Sequence, residues 1–147
     1  MEFQRKLNEL EWNLLQFGVL WVFEAVAGSD GKIDDAEQKQ LHRFLLEAYA
    51  HPLAPFRAVL IDLEANLDRM LEKYFADKRA IDHGLTEVGE LLSRKLSPGE
   101  TVAFKEALLD LGQRIAEASG GFLGFGNKVS KKERRSLARI ANVLGLI

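Results

Sequence analysis

The chain has no cysteine. This removes disulfides, thiolate metal sites and thiol nucleophiles, and it fits a reducing compartment. Histidine occurs only at His42, His51 and His83, and no two of these stand at zinc-ligand spacing. No apolar run reaches the ~20 residues needed to span a bilayer. The longest, Leu14 to Ala27, is interrupted by Gln16 and Glu24. Its small-x-small end, Ala25-Val26-Ala27, has the form of a leader cleavage site. The residues before it, however, hold more acids (Glu2, Glu9, Glu11) than bases (Arg5, Lys6), so a buried core helix is the better reading. No serine stands in a recognisable nucleophile motif with a histidine, and Ser97 and Ser130 already serve as helix caps. The expectation is a non-enzymatic, soluble, cytoplasmic protein, with peripheral contact to the inner membrane left open.

The residues present suit one domain, 1–147, because 47% hydrophobic content in 147 residues supplies a sizeable core. Apolar positions recurring at spacings of three and four predict an all-α bundle of six helices, and no stretch reads as strand. They run from about Phe3 to Ala27, Asp34 to Ala50, Pro55 to Ala76, Lys78 to Leu96, Ser97 to Ser119 and Ser130 to Gly145. The second half of the first is apolar nearly all round, which predicts a central helix enclosed by the others. Gly28 and Gly145 end helices, Asp77 is a candidate cap for the fourth, and Ser97-Pro98-Gly99-Glu100 is a capping box with proline at the first helical position.

The segment between the first two helices is the first candidate site. Asp30-Gly31-x-Ile33-x-x-x-Glu37 matches the second half of an EF-hand loop, in which glycine makes the sharp turn and glutamate closes the cage. The first half fails, since that register puts Val26, Gly28 and Lys32 where oxygen ligands or a neutral carbonyl position are expected. Asp30, Asp34 and Glu37 therefore form a candidate site for weak Ca2+ or Mg2+ binding. Competing with it is a capping box in which Asp34 and Glu37 start the next helix without any ligand.

The pattern Ile33-x-x-x-Glu37-x-x-x-Leu41 recurs as Val129-x-x-x-Glu133-x-x-x-Leu137, an offset of 96 residues, and each copy follows an apolar helix ending in glycine. This predicts two EF-hand-like helix-loop-helix repeats packed about a pseudo-twofold axis. The segment Gly28-Ser29-Asp30-Gly31-Lys32-Ile33-Asp34-x-x-Glu37, with Val129-Ser130-x-x-Glu133, Leu137-x-x-Ile140-Ala141 and Leu144-Gly145-Leu146, resembles the TerB-like domains, a family named for a tellurite-resistance protein. The resemblance implies a compact all-α bacterial domain without established catalysis, roles in stress-response and envelope-associated assemblies, and an acidic metal-chelating surface on which Asp30 and Glu37 would sit. The second repeat departs from the pattern, having Gly124-Phe125-Gly126-Asn127 where relatives often keep an Asp-Gly turn.

Charge is unevenly distributed. The net charge is −2, but residues 128–147 hold six Lys/Arg and one acid, so a body of about −7 carries a tail of about +5. On the last helix Leu137, Ile140, Ala141 and Leu144 define a buried face, with Lys131, Lys132, Arg135 and Arg139 largely opposite and Arg134 flanking. Just before it, the loop Gly120 to Lys128 carries Phe122, Leu123 and Phe125, poor chemistry for a solvated loop. Phe122, Phe125, Lys132, Arg135 and Arg139 are thus the candidate partner-binding residues. The adjoining apolar loop and basic helix point to a protein partner or an anionic membrane surface; with no helix-turn-helix signature, nucleic acid is disfavoured. A plugged core and a solvated, internally paired helix face are the competing readings.

Overall fold

The computed structural model describes residues 2–28, 35–122 and 131–147, with the side chains of residues 119–122 excluded. Every regular element among them is helical. Among the described residues there are eight α-helices: α1 (Glu2–Arg5), α2 (Glu9–Ala27), α3 (Asp35–Leu46), α4 (Ala54–Ala65), α5 (Leu67–Ala76), α6 (Ile81–Lys95), α7 (Pro98–Phe122) and α8 (Lys131–Val143), with a 3-10 turn at Glu47–Ala50 after α3.

The all-α class agrees with the sequence reading, but the count of six helices does not, and short polar residues account for the difference. Asn8 breaks the first predicted helix: its side-chain oxygen accepts from the Glu11 N–H at 2.8 Å, while its own N–H donates to the Glu11 carboxylate at 2.9 Å. This reciprocal box starts α2 and cuts off α1. Asn66 breaks the third, because its backbone leaves the helical region (φ −125°, ψ 28°) while its amide group bonds back to the Asp62 carbonyl. Asp77 does not cap the fourth; it accepts from the Arg79 N–H two residues on, an Asx turn that delays α6 to Ile81. The Ser97–Glu100 box forms as expected. α7 runs past Ser119 to Phe122, so Phe122 ends a helix rather than sitting within a loop.

The central-helix expectation holds. α2 packs against α4, α5, α6, α7 and α8, and Leu15, Val19, Leu20, Val22 and Phe23 are fully buried on it. Burying each such side chain contributes roughly 1.5–3 kcal/mol. α6 crosses α2 closely at Gly84: a Cβ there would lie 2.4 Å from Trp21 Cη2, so only glycine admits the indole. Trp21 is enclosed by Phe17, Tyr74 and the Arg79 guanidinium. At its C-terminus α2 closes on Gly28 in the left-handed region (φ 71°), whose N–H donates to the Glu24 carbonyl. α8 ends in a Schellman turn, Leu146 N–H to Ala141 carbonyl at 2.8 Å.

Candidate functional site

α8 is amphipathic as expected, with Leu137, Ile140, Ala141 and Leu144 buried and Lys131, Lys132, Arg134, Arg135 and Arg139 exposed. The bundle then divides these cations into two groups. Arg139 donates through Nε to Asp82 Oδ1 at 2.6 Å, tying α8 to the first turn of α6. Lys132 lies over the C-terminus of α2, its ammonium 3.4 Å from where a Cβ on Gly28 would stand. A cation at that end complements the partial negative charge of unpaired helix carbonyls. Lys131, Arg134 and Arg135 are different: no ion pair or hydrogen bond joins any of them to another described residue. Of the three basic residues predicted to bind a partner, then, Arg135 is uncommitted, Lys132 sits against α2 and Arg139 is paired within the chain.

The other predicted residues are not brought together. Asp30, Asp34 and Phe125 lie outside the described residues, and Phe122 is described only in its backbone. Glu37 is half-buried in the first turn of α3 and already has an interaction within the chain. Glu24, one turn above the candidate metal loop, accepts from the Tyr74 hydroxyl at 2.9 Å. Burial, then the Glu24 charge, pushes the Tyr74 phenol well above its usual range, so it remains a neutral donor. Among the described residues no group of three or more His, Asp or Glu is placed to hold a metal ion.

Three features escaped the sequence reading. The first is a charge network at the start of α6. Arg79 bonds both carboxylate oxygens of Asp77, reaches Glu87 and lies 5.4 Å over the Trp21 ring, while His83 meets Glu87 at 2.8 Å. The hydrogen bonds from Arg79 hold the Asp77 carboxyl below its ordinary range. The second is a cleft of about 130 Å³ between the 3-10 turn, α4 and α7, floored by Phe44, Phe56, Leu60 and Leu111 and edged by His51 and Arg114. His51 Nδ1 accepts from the Leu53 N–H at 3.1 Å, which places the proton of the neutral ring on Nε2. Burial and then Arg114 hold this imidazole below its usual range.

The third is a polar cluster between α2 and α4. Asp62 accepts from Trp12 Nε1 (2.8 Å), Gln16 Nε2 (2.9 Å) and Asn66 Nδ2 (3.1 Å). Its signal was in the sequence: Gln16 and Asp62 are polar residues inside otherwise apolar helical runs, Leu14–Val19 and Val59–Leu63.

Compared with family models, with characterised proteins and with solved structures, the chain matches none. No described helix is long and apolar enough to cross a membrane.

Proposed function

We propose that the chain is a non-catalytic helical interaction domain of the TerB-like kind, serving a bacterial stress-response or envelope-associated assembly, and that it docks on an anionic surface through the outer face of α8. The observation that carries this reading is the set of three exposed cations, Lys131, Arg134 and Arg135, with no anionic partner among the described residues. They begin six positions after the apolar sequence Phe122-Leu123-Gly124-Phe125, so charge and apolar character lie close together in the sequence. Each such cation contributes about 1 kcal/mol near an anionic lipid surface. An acidic protein face offers the same chemistry, and the partner is one of these two.

The two helix-loop-helix units belong to the same reading. α2 and α3 bracket residues 29–34, and α7 and α8 bracket residues 123–130. Their packing differs: α3 lies chiefly on α4 and the 3-10 turn, whereas α8 lies on α2, α6 and α7. The Ca2+ or Mg2+ alternative at Asp30, Asp34 and Glu37 rests on sequence alone, since two of its three ligands lie outside the described residues.

The test is co-sedimentation with phosphatidylglycerol vesicles and retention on immobilised polyglutamate, each across a salt series. Wild-type protein should bind at least one of them in a salt-sensitive way, and Lys131→Glu/Arg134→Glu/Arg135→Glu should bind neither. Vesicle binding alone assigns a membrane surface, and polyglutamate binding alone an acidic protein. A charge-reversed variant that binds as wild type does overturns the proposal.

A further inference from the structure

The basic face of α8 has an acidic neighbour in α7. α7 holds four acids and two bases, whereas α8 holds five bases and one acid. The two helices pack directly, a Cβ on Gly112 falling 3.0 Å from Leu137 Cδ2. Among the described residues, however, no ion pair joins them. The flanks of each helix explain why. On α7, Gly112 faces α8 and Arg114 reaches Glu47 of the 3-10 turn at 3.9 Å, and the exposed Glu106, Asp110 and Glu117 lie on the outward arc between those flanks. Arg114 also pairs with Asp110 at 3.2 Å, which leaves Glu106 and Glu117 without a cation among the described residues. On α8, Arg139 marks the side toward α6 through its bond to Asp82. At ~100° per residue, Arg135, Lys131 and Arg134 step in that order from the Arg139 side, across the solvent face, to the Leu137 side that meets α7. An acidic stripe and a basic stripe therefore lie side by side on one surface, and neither neutralises the other.

We infer that this surface pairs with the same surface of a second copy of the chain, about a two-fold axis running between α7 and α8 and parallel to them. Such an axis sets α7 of each chain against α8 of the other, so each set of cations meets the partner's acidic stripe and the assembly closes at two chains. The inference rests on the reading of α8 as a docking face, and it names the acidic partner as α7 of another copy. A second copy satisfies both stripes at once. An anionic membrane or an unrelated acidic protein answers the cations but repels the acids beside them. The shared length is about 20 Å, set by the 13 residues of α8. Two helices ~10 Å across then give on the order of 400 Å² per partner, about half a standard interface, so the dimer is weak and salt-sensitive.

The experiment is the mass of the full chain in solution, measured by small-angle X-ray scattering at millimolar concentration in low and in high salt. The wild-type mass should rise toward twice the monomer in low salt and return to the monomer in high salt. Lys131→Glu/Arg134→Glu/Arg135→Glu and Glu106→Lys/Glu117→Lys, each folded by circular dichroism, should both stay monomeric alone. An equimolar mixture of the two should regain the dimer mass, because the reversed stripes match across the axis. A wild-type chain that stays monomeric in low salt overturns the inference. So does either variant dimerising as wild type does, or a mixture that stays monomeric. Glu106→Lys/Glu117→Lys keeps every cation of α8 and should still bind the vesicles or polyglutamate that the wild-type chain binds. A wild-type chain that binds either of these yet stays monomeric overturns the dimer and leaves the docking face standing, whereas a charge-reversed α8 that still binds them overturns the face itself.

Discussion

Replacing Gly84 by alanine adds one methyl group where the structure has no room for it. The new Cβ would stand 2.4 Å from Trp21 Cη2 and 2.5 Å from Cζ2 and Cζ3. A flexible neighbour could turn aside, but this one is a rigid ring, 2% exposed. Phe17 and Tyr74 pack against it with centroids at 5.9 and 6.1 Å, and Arg79 covers it at 5.4 Å. Moving the ring therefore disturbs the Arg79 bonds to Asp77 and Glu87 as well. Overpacking of this kind costs about 1–3 kcal/mol, and the upper end applies where the obstacle is an enclosed ring. Alanine in place of a mid-helix glycine returns about 0.5–1 kcal/mol. The net loss should be about 2 kcal/mol, lowering Tm by about 4–8 °C for a chain of this size. Urea unfolding should show a lower midpoint at unchanged m-value. In a Trp21→Phe background the same substitution should cost less, because the ring atoms it meets are gone. A midpoint at or above wild type would refute the close approach of α6 to α2.

Two further predictions concern pH. Folding raises the Tyr74 pKa, so its contribution is complete below the unfolded value of ~10 and is lost as pH rises above it; Tyr74→Phe should flatten the alkaline limb of the stability profile measured by urea midpoints. Folding lowers the His51 pKa, so its contribution is present above ~6.5 and is lost as pH falls through and below that value. The drop between about pH 7 and 5 should shrink in His51→Gln, and an undiminished drop would remove His51 from the account.

Helical periodicity and glycine punctuation were enough to place the all-α class, the central position of α2, and the Gly28 and Gly145 caps. The breaks at Asn8 and Asn66 were harder to see, because both interrupt stretches whose apolar spacing continues across them. A cap there is decided by side-chain bonds to Glu11 and Asp62 that compete locally with the helix. On α8 the buried face could be read residue by residue, since it depends on spacing within one helix. Which of its cations stay uncommitted could not. That depends on Asp82, 57 residues upstream, and on the end of α2, both brought beside α8 only by tertiary packing. The Asp62 cluster was half visible: Gln16 and Asp62 stand out as polar residues in apolar runs, but their pairing joins positions 46 apart.

The fold divides one basic helix into internally paired and outward-facing cations. The most direct test of that division compares Arg135→Ala with Arg139→Ala in affinity for whichever anionic surface the wild-type chain binds. Both variants remove one positive charge from α8. Arg135→Ala should weaken binding and reduce its salt dependence, whereas Arg139→Ala should leave both near wild type and instead cost up to about 1 kcal/mol of stability through the lost Asp82 pair. Equal losses of affinity in the two variants would contradict the claim.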